Sequence, residues 1–342
     1  MLINMLLPCV LAFLIGWLGA RVMVLYSNKT GGLDVPGARS SHSHPTPTSG
    51  GVGVAVGVLA FMFWLGGEGG DQALLFIAGL GSVMCLTGWV DDRIGLSVGL
   101  RLLIQLLVLI TMLLILELLP VLTLPGNVGL DGGWLLLVGV VAALWWVNLF
   151  NFMDGIDGLA ASQALFMLCA ASILTWLVQP YAIHYPAWQA MPIAAAAVLG
   201  FLVLNWPPAR VFMGDTGSLF LGFLLVFFGL VTIMYGWMNY PAWMILGALF
   251  ITDATVTLMV RLAQGQRLHQ AHRSHAYQKL ARRWGAHRPV TLLTIAINLL
   301  WLLPLAGIAM FKPAYAWLAV AVAYTPLLAS VLWVGAGTED HV

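Results

Sequence analysis

The chain has 342 residues, of which 61% are hydrophobic and 8% charged, with 14 Lys and Arg set against 13 Asp and Glu. About a quarter of an ordinary soluble domain is charged, so the composition excludes a soluble globular protein and indicates a polytopic membrane protein. A net charge of +1 leaves no basic excess, and no nucleic-acid partner is expected.

Apolar runs near the roughly 20 residues that cross a bilayer recur throughout. They predict eleven spans, near 3–26, 50–66, 73–90, 100–118, 133–150, 159–178, 190–206, 217–235, 239–260, 290–310 and 313–335. Backbone polar groups must be satisfied within each such run, so the expected fold is an all-α polytopic membrane protein. The expectation is one integral membrane domain over 1–342, a bundle of about 11 transmembrane helices. A β-barrel would show short alternating strands instead. The first span has no cation ahead of it, since Arg21 lies at its far end, which argues against a cleaved signal peptide. Cys9, Cys85 and Cys169 fall inside apolar runs and suggest neither a disulfide framework nor a zinc site.

Charge distribution predicts orientation. With the N-terminus periplasmic and the C-terminus cytoplasmic, every Lys and Arg except Lys312 lies in or beside an inside segment. The inside loops are then 27–49, 91–99, 148–158, 205–218 and 261–289. Asp34, Asp91, Asp92, Asp154, Asp157, Asp215 and Asp253 all fall at the same face. The topology rests on cations alone, so this one-sided gathering of acids is an independent sign of function there.

In chain order, the first inside loop reads LDVPGARSSHSHPTPTSGGVG; its Asp34, Arg39, His42 and His44 carry both charge signs and anion donors. It also reads as a flexible connector. GWVDDRIG follows, where adjacent Asp91 and Asp92 repel unless a cation or Arg93 is near. Mg²⁺ suits such a place, as a hard ion that takes carboxylates, waters and substrate phosphates. NLFNFMDGIDGLA spaces Asn148, Asn151, Asp154 and Asp157 by three, which on a helix puts four oxygens on nearly one face. The bland alternative is a polar connector with Asp157 capping the next helix. PPARVFMGDTGSLF sets Asp215 between Gly214 and Gly217; this is either a helix cap or a phosphate turn completed by a metal. The last loop, RLAQGQRLHQAHRSHAYQKLARRWGAHR, holds seven cations and no acid. Most of these cations read as topological or headgroup anchors. His272, Arg273 and His275 are different, because three donors within four residues suit phosphate oxygens.

Together these pieces resemble the polyprenyl-phosphate N-acetylhexosamine-1-phosphate transferase family. The resemblance runs from DVPGARSSH through VDDRIG, NLFNFMDGIDGL, NWPPARVFMGDTGS and TDATVTLMVR to HRSHAYQ. It implies that a UDP-N-acetyl sugar gives its sugar-1-phosphate to undecaprenyl phosphate and releases UMP. It further implies Mg²⁺, with Mn²⁺ as a substitute, on Asn151 and Asp215, and catalytic roles for Asp91, Asp92, Asp154 and Asp157. Asn205, His272, Arg273, His275, Arg39 and His42 are the implied substrate-binding residues. The setting it implies is the bacterial inner membrane, and a homodimer is compatible with it.

Phosphoryl transfer relies on positioning and charge neutralisation. An acceptor phosphate monoester is mostly dianionic at neutral pH, so Asp91 is expected to act by position and charge rather than as a strong base. A covalent route through Asp92 or Asp154 stays open at this stage. Two departures stand out: His275-Ala276-Tyr277-Gln278 replaces a His-x-His-His cluster, and TPTSGG replaces TPTMGG with no lysine before it. RSSH and RSHAYQ resemble the O-antigen-initiating branch that uses FucNAc or QuiNAc. The rival is a secondary transporter with intramembrane acids, which should show matched halves and a midplane site. A prenyltransferase also pairs Asp-rich loops with Mg²⁺, but lacks the GDTGS and His-Arg elements.

Overall fold

The computed structural model describes residues 2–30, 33–34, 44–116, 119–126, 128–266 and 272–338. Ten helical runs among these are long and apolar enough to span a membrane, eleven when one bent pair is counted as a span. In order they are α1 (Leu2–Thr30), α2 (Gly51–Gly69), α3 (Gln72–Ile94), α4 (Val98–Ile115), α5 (Gly132–Phe152), α6 (Leu159–Val178), α7 (Pro186–Asn205) and α8 (Gly214–Met234). The bent pair is α9 (Tyr240–Leu246) and α10 (Ala248–Ala263), and the short α11 (Ala276–Trp284) follows. The last two spans are α12 (His287–Ile297), continued by a π-helical turn and α13 (Leu303–Phe311), and then α14 (Ala316–Val334). Only two short antiparallel pairings accompany them among the described residues, Leu33–Asp34 with Thr46–Pro47 and Leu122–Leu124 with Val128–Leu130. The predicted all-α polytopic architecture is what forms.

The core is built around α8, whose residues are buried almost all round. α3 and α5 pack along it, while α1 and α2 lie against α7. Small residues permit these close crossings, as in membrane bundles generally. Gly51 meets Gly217, and Gly88 lies directly on the backbone of Asp215 and Thr216. The second contact matters for function, because it locks the acidic end of α3 onto the first turn of α8.

Two predicted boundaries need correcting. The span expected at 239–260 is broken by 72° between α9 and α10. No proline marks the break; the ring of Trp146 lies against Gly247, where a side chain would collide with it. The carbonyl of Leu246 at the bend accepts a 2.9 Å hydrogen bond from Gln163 Nε2, and Asn298 Nδ2 donates to Gln163 Oε1 at 2.8 Å. Second, α3 continues to Ile94, so Asp91 and Asp92 occupy its last turn rather than the loop expected at 91–99.

Candidate functional site

The predicted inside segments do gather at one end of the bundle. A cavity of about 580 Å³ lies there, lined by Asp34, Ser49, Asp92, Asn151, Asp154, Asp157, Asn205, Phe212, Asp215, Gln278 and His287. Residues from both ends of the chain meet in it.

Asn148, Asn151, Asp154 and Asp157 do not form one helical face. α5 ends at Phe152, and the chain then turns non-helically to Gly158, which has φ +70° and precedes α6. Asn148 points into the bundle, where its Nδ2 donates to Gln105 Oε1 at 2.7 Å. Asn151 faces α8, and its Nδ2 donates to Asp215 Oδ1 and Ser218 Oγ, each at 2.8 Å. Asp154 lines the cavity. Burial, then the carboxylates of Asp215, Asp92 and Asp157, push its carboxyl well above the usual range. Asp157 is tied down: Ala209 N–H donates to it at 3.0 Å, and His287 Nδ1 stands 3.0 Å from its other oxygen. It does not cap α6; Gly158 holds that place.

Asp92 reaches across to α8 from the end of α3. It accepts Asp215 N–H at 2.8 Å and Thr216 N–H at 3.2 Å, together with the hydroxyls of Thr216 at 2.6 Å and Ser49 at 2.8 Å. The first N–H groups of a helix have no intrahelical partner, so this carboxylate caps α8 from outside. Ser49 holds a left-handed conformation (φ +62°) beside it, an arrangement rare for a non-glycine residue. Asp91 faces the other way. It accepts Leu96 N–H at 2.7 Å and pairs with Arg101 at 2.8 Å. Arg101 Nη1 also lies 3.2 Å from Asp215 Oδ2, so one guanidinium holds acids from two helices.

Asn205 is buried, accepting Gly158 N–H at 3.0 Å and donating to the Val211 carbonyl at 2.9 Å. Its amide staples two cavity walls. The HRSH stretch lies apart from the cavity lining. His275 is buried, with Nδ1 3.2 Å from Asp253, and its ring stacks on that of His272 at 5.0 Å. Burial first, then His275 and Arg261, lower His272 to about 4, so its ring is neutral near pH 7. Arg273 is exposed. Arg39 and His42 lie outside the described residues.

Sequence reasoning missed Arg101, Gln278 and His287. Arg101 carried a signal, being a lone cation at the start of an apolar run, but it was not singled out from the other cations. Gln278 stood out only as the end of the departure at 275–278, and nothing in the order of residues marked His287.

Among the described residues, no three His, Cys, Asp or Glu side chains converge to hold a metal by themselves. The lining nevertheless fits a hard cation. Asn151 and Asp215 offer oxygen donors, Asp154 and Asp92 add carboxylates beside them, and the sulfur in the lining is the Met213 thioether, a soft group that suits a hard ion poorly. Mg²⁺ commonly takes only one or two carboxylates and completes its shell with water and phosphate.

The model for glycosyl transferase family 4 matches residues 74–234, a stretch that contains α3, the 153–158 turn and the α8 cap. Over that segment the chain is similar to glycosyl transferase family 4. The chain is also similar to a probable undecaprenyl-phosphate N-acetylglucosaminyl 1-phosphate transferase of Bacillus subtilis (strain 168), 28% identical over 299 residues, 85% of this chain and 80% of the relative. A decaprenyl-phosphate N-acetylglucosaminephosphotransferase of Mycobacterium leprae (strain TN) is 25% identical over 310 residues, 82% of this chain and 78% of the relative. A phospho-N-acetylmuramoyl-pentapeptide-transferase of Mycobacterium sp. (strain KMS) is 32% identical over 234 residues, 58% of this chain and 64% of the relative. The HRSH stretch lies outside the matched segment, as it lies outside the cavity lining.

Proposed function

We propose that this membrane transferase moves an N-acetylhexosamine-1-phosphate from a UDP-sugar to undecaprenyl phosphate and releases UMP. The site would face the cytoplasm of a bacterial inner membrane and start an O-antigen or other envelope polysaccharide. One observation carries the reading: Asp92, Asn151, Asp154 and Asp215, from three separate stretches, share one polar cavity at one end of the helix bundle, and Arg101 ties Asp215 to Asp91.

Two anions must meet, so charge control is the first requirement. Arg101 spreads its positive charge over Asp91 and Asp215. Asp91 already accepts two donors, which suits a group acting by position and charge rather than as a base. Asp92 fixes the α8 turn and so fixes where Asp215 points. A Mg²⁺ or Mn²⁺ ion held by Asn151 and Asp215 would supply neutralising charge to the donor diphosphate. Asp154 and Asp157 frame the wall against which the nucleotide would lie. The acceptor phosphate is the nucleophile, and UMP departs with the electron pair of the broken P–O bond.

The sugar is proposed from RSSH and RSHAYQ as a 6-deoxy-N-acetylhexosamine, whereas the printed names of the relatives specify N-acetylglucosamine or a muramoyl-pentapeptide. Purified protein should be offered UDP-FucNAc, UDP-QuiNAc, UDP-GlcNAc and UDP-MurNAc-pentapeptide with undecaprenyl phosphate and Mg²⁺. UMP release from a 6-deoxy donor is expected. Preference for UDP-GlcNAc would overturn the sugar assignment alone, and silence with every donor would overturn the reaction.

A further inference from the structure

Asp253 is a buried acid on α10 that takes no part in the cavity. Its carboxylate stands 3.2 Å from His275 Nδ1 and accepts the N–H groups of Ala276 and Tyr277, each at 2.9 Å. It therefore caps the first turn of α11, where unpaired N–H groups and the helix dipole both favour an anion. Tyr277 is buried in that turn, and its hydroxyl donates to the carbonyl of Phe152 at 2.9 Å. Phe152 is the last residue of α5, and the final carbonyls of a helix lack intrahelical partners. Gly155 then presses against the same hydroxyl so closely that a β-carbon there would overlap it. Gln278 Nε2 lies 3.2 Å from that β-carbon position and lines the cavity. The turn carrying Asp154 is thus seated on one phenol.

We propose that Tyr277 is a positioning residue that sets how deeply the Asp154 turn enters the cavity, with Asp253 and His275 as the clamp that fixes Tyr277. The chain of contacts runs from α10 through α11 to the end of α5, joining a stretch remote in sequence to the reacting face. Burial first, then Asp253 and Asp154, push the Tyr277 hydroxyl well above its usual range, so it remains a donor throughout the working pH range. Glycine at 155 is required by this seat. The kinetic consequence rests on the phosphotransferase reading above; the structural consequence does not.

Four proteins in nanodiscs test it: wild type, Tyr277→Phe, Gly155→Ala and the double variant. Tyr277→Phe should lower kcat about tenfold, the worth of one hydrogen bond, with KM for the sugar nucleotide changed less than about twofold. Amide exchange should quicken at 152–158 and nowhere else. Gly155→Ala should cost about 100-fold, as for a misplaced catalytic group. Removing the hydroxyl should relieve that overlap, so the double variant should return to about the Tyr277→Phe rate. A double variant no better than Gly155→Ala would overturn the proposal. So would a Tyr277→Phe protein with unchanged exchange at 152–158. If wild type releases no UMP, the reaction reading fails, and the exchange comparison still decides the seat.

Discussion

Asp92→Asn separates a structural carboxylate from a reacting one. Asp92 accepts four hydrogen bonds, two of them from the backbone N–H groups of Asp215 and Thr216. The hydroxyls of Ser49 and Thr216 can rotate to suit an amide, but the two N–H groups cannot. Whichever way the new amide turns, its NH₂ faces one of them. One partly buried donor is left unmade, costing about 1–3 kcal/mol. The lost charge at the α8 N-terminus adds about 0.3–1 kcal/mol. The sum, about 1.3–4 kcal/mol, should appear as a lower melting temperature and faster amide exchange at 214–218. Turnover should fall because Asp215 rides on that turn. Asp91→Asn, which leaves the cap intact, should show normal exchange at 214–218. An Asp92→Asn protein with wild-type melting and wild-type exchange but no turnover would refute the reasoning and make Asp92 a direct participant.

Arg101→Met removes the guanidinium that competes for Asp215, so Mn²⁺ binding followed by electron paramagnetic resonance should tighten by about fivefold while turnover falls; weaker binding would count against the account. Asp154 has a raised folded value, so between its unfolded value of about 3.9 and that raised value the folded state binds the extra proton and stability falls as pH rises. Melting temperature in EDTA should therefore be higher at pH 5 than at pH 8, and Asp154→Asn should flatten that slope. Gly88→Ala puts a β-carbon into the Asp215 backbone, so it should abolish turnover and lower the melting temperature by more than Gly79→Ala, which faces open space.

The bundle was legible because hydropathy alone dictates spanning helices, and the span boundaries follow within a few residues. The break at Gly247 was not, since Gln163, Asn298 and Trp146 create it from distant positions. Spacing misled at 148–157. A three-residue rhythm implies one face only while the helix lasts, and α5 ends at Phe152. The identities of Asp92, Asn151, Asp154 and Asp215 as residues of one cavity could be read, because acids in an apolar chain cannot be incidental. Their division of labour could not, since it depends on which carboxylate meets which N–H group across helices. His272 and His275 looked like anion donors from composition, yet Asp253 holds His275 within the protein.

The central claim is transfer of a sugar together with its phosphate, and a donor carrying ³²P in its β-phosphate tests it most directly. With purified protein, Mg²⁺ and undecaprenyl phosphate, the account predicts that the label enters the lipid while unlabelled UMP is released. Label retained in released UDP, or carried unreacted across a liposome membrane as intact UDP-sugar, would contradict it.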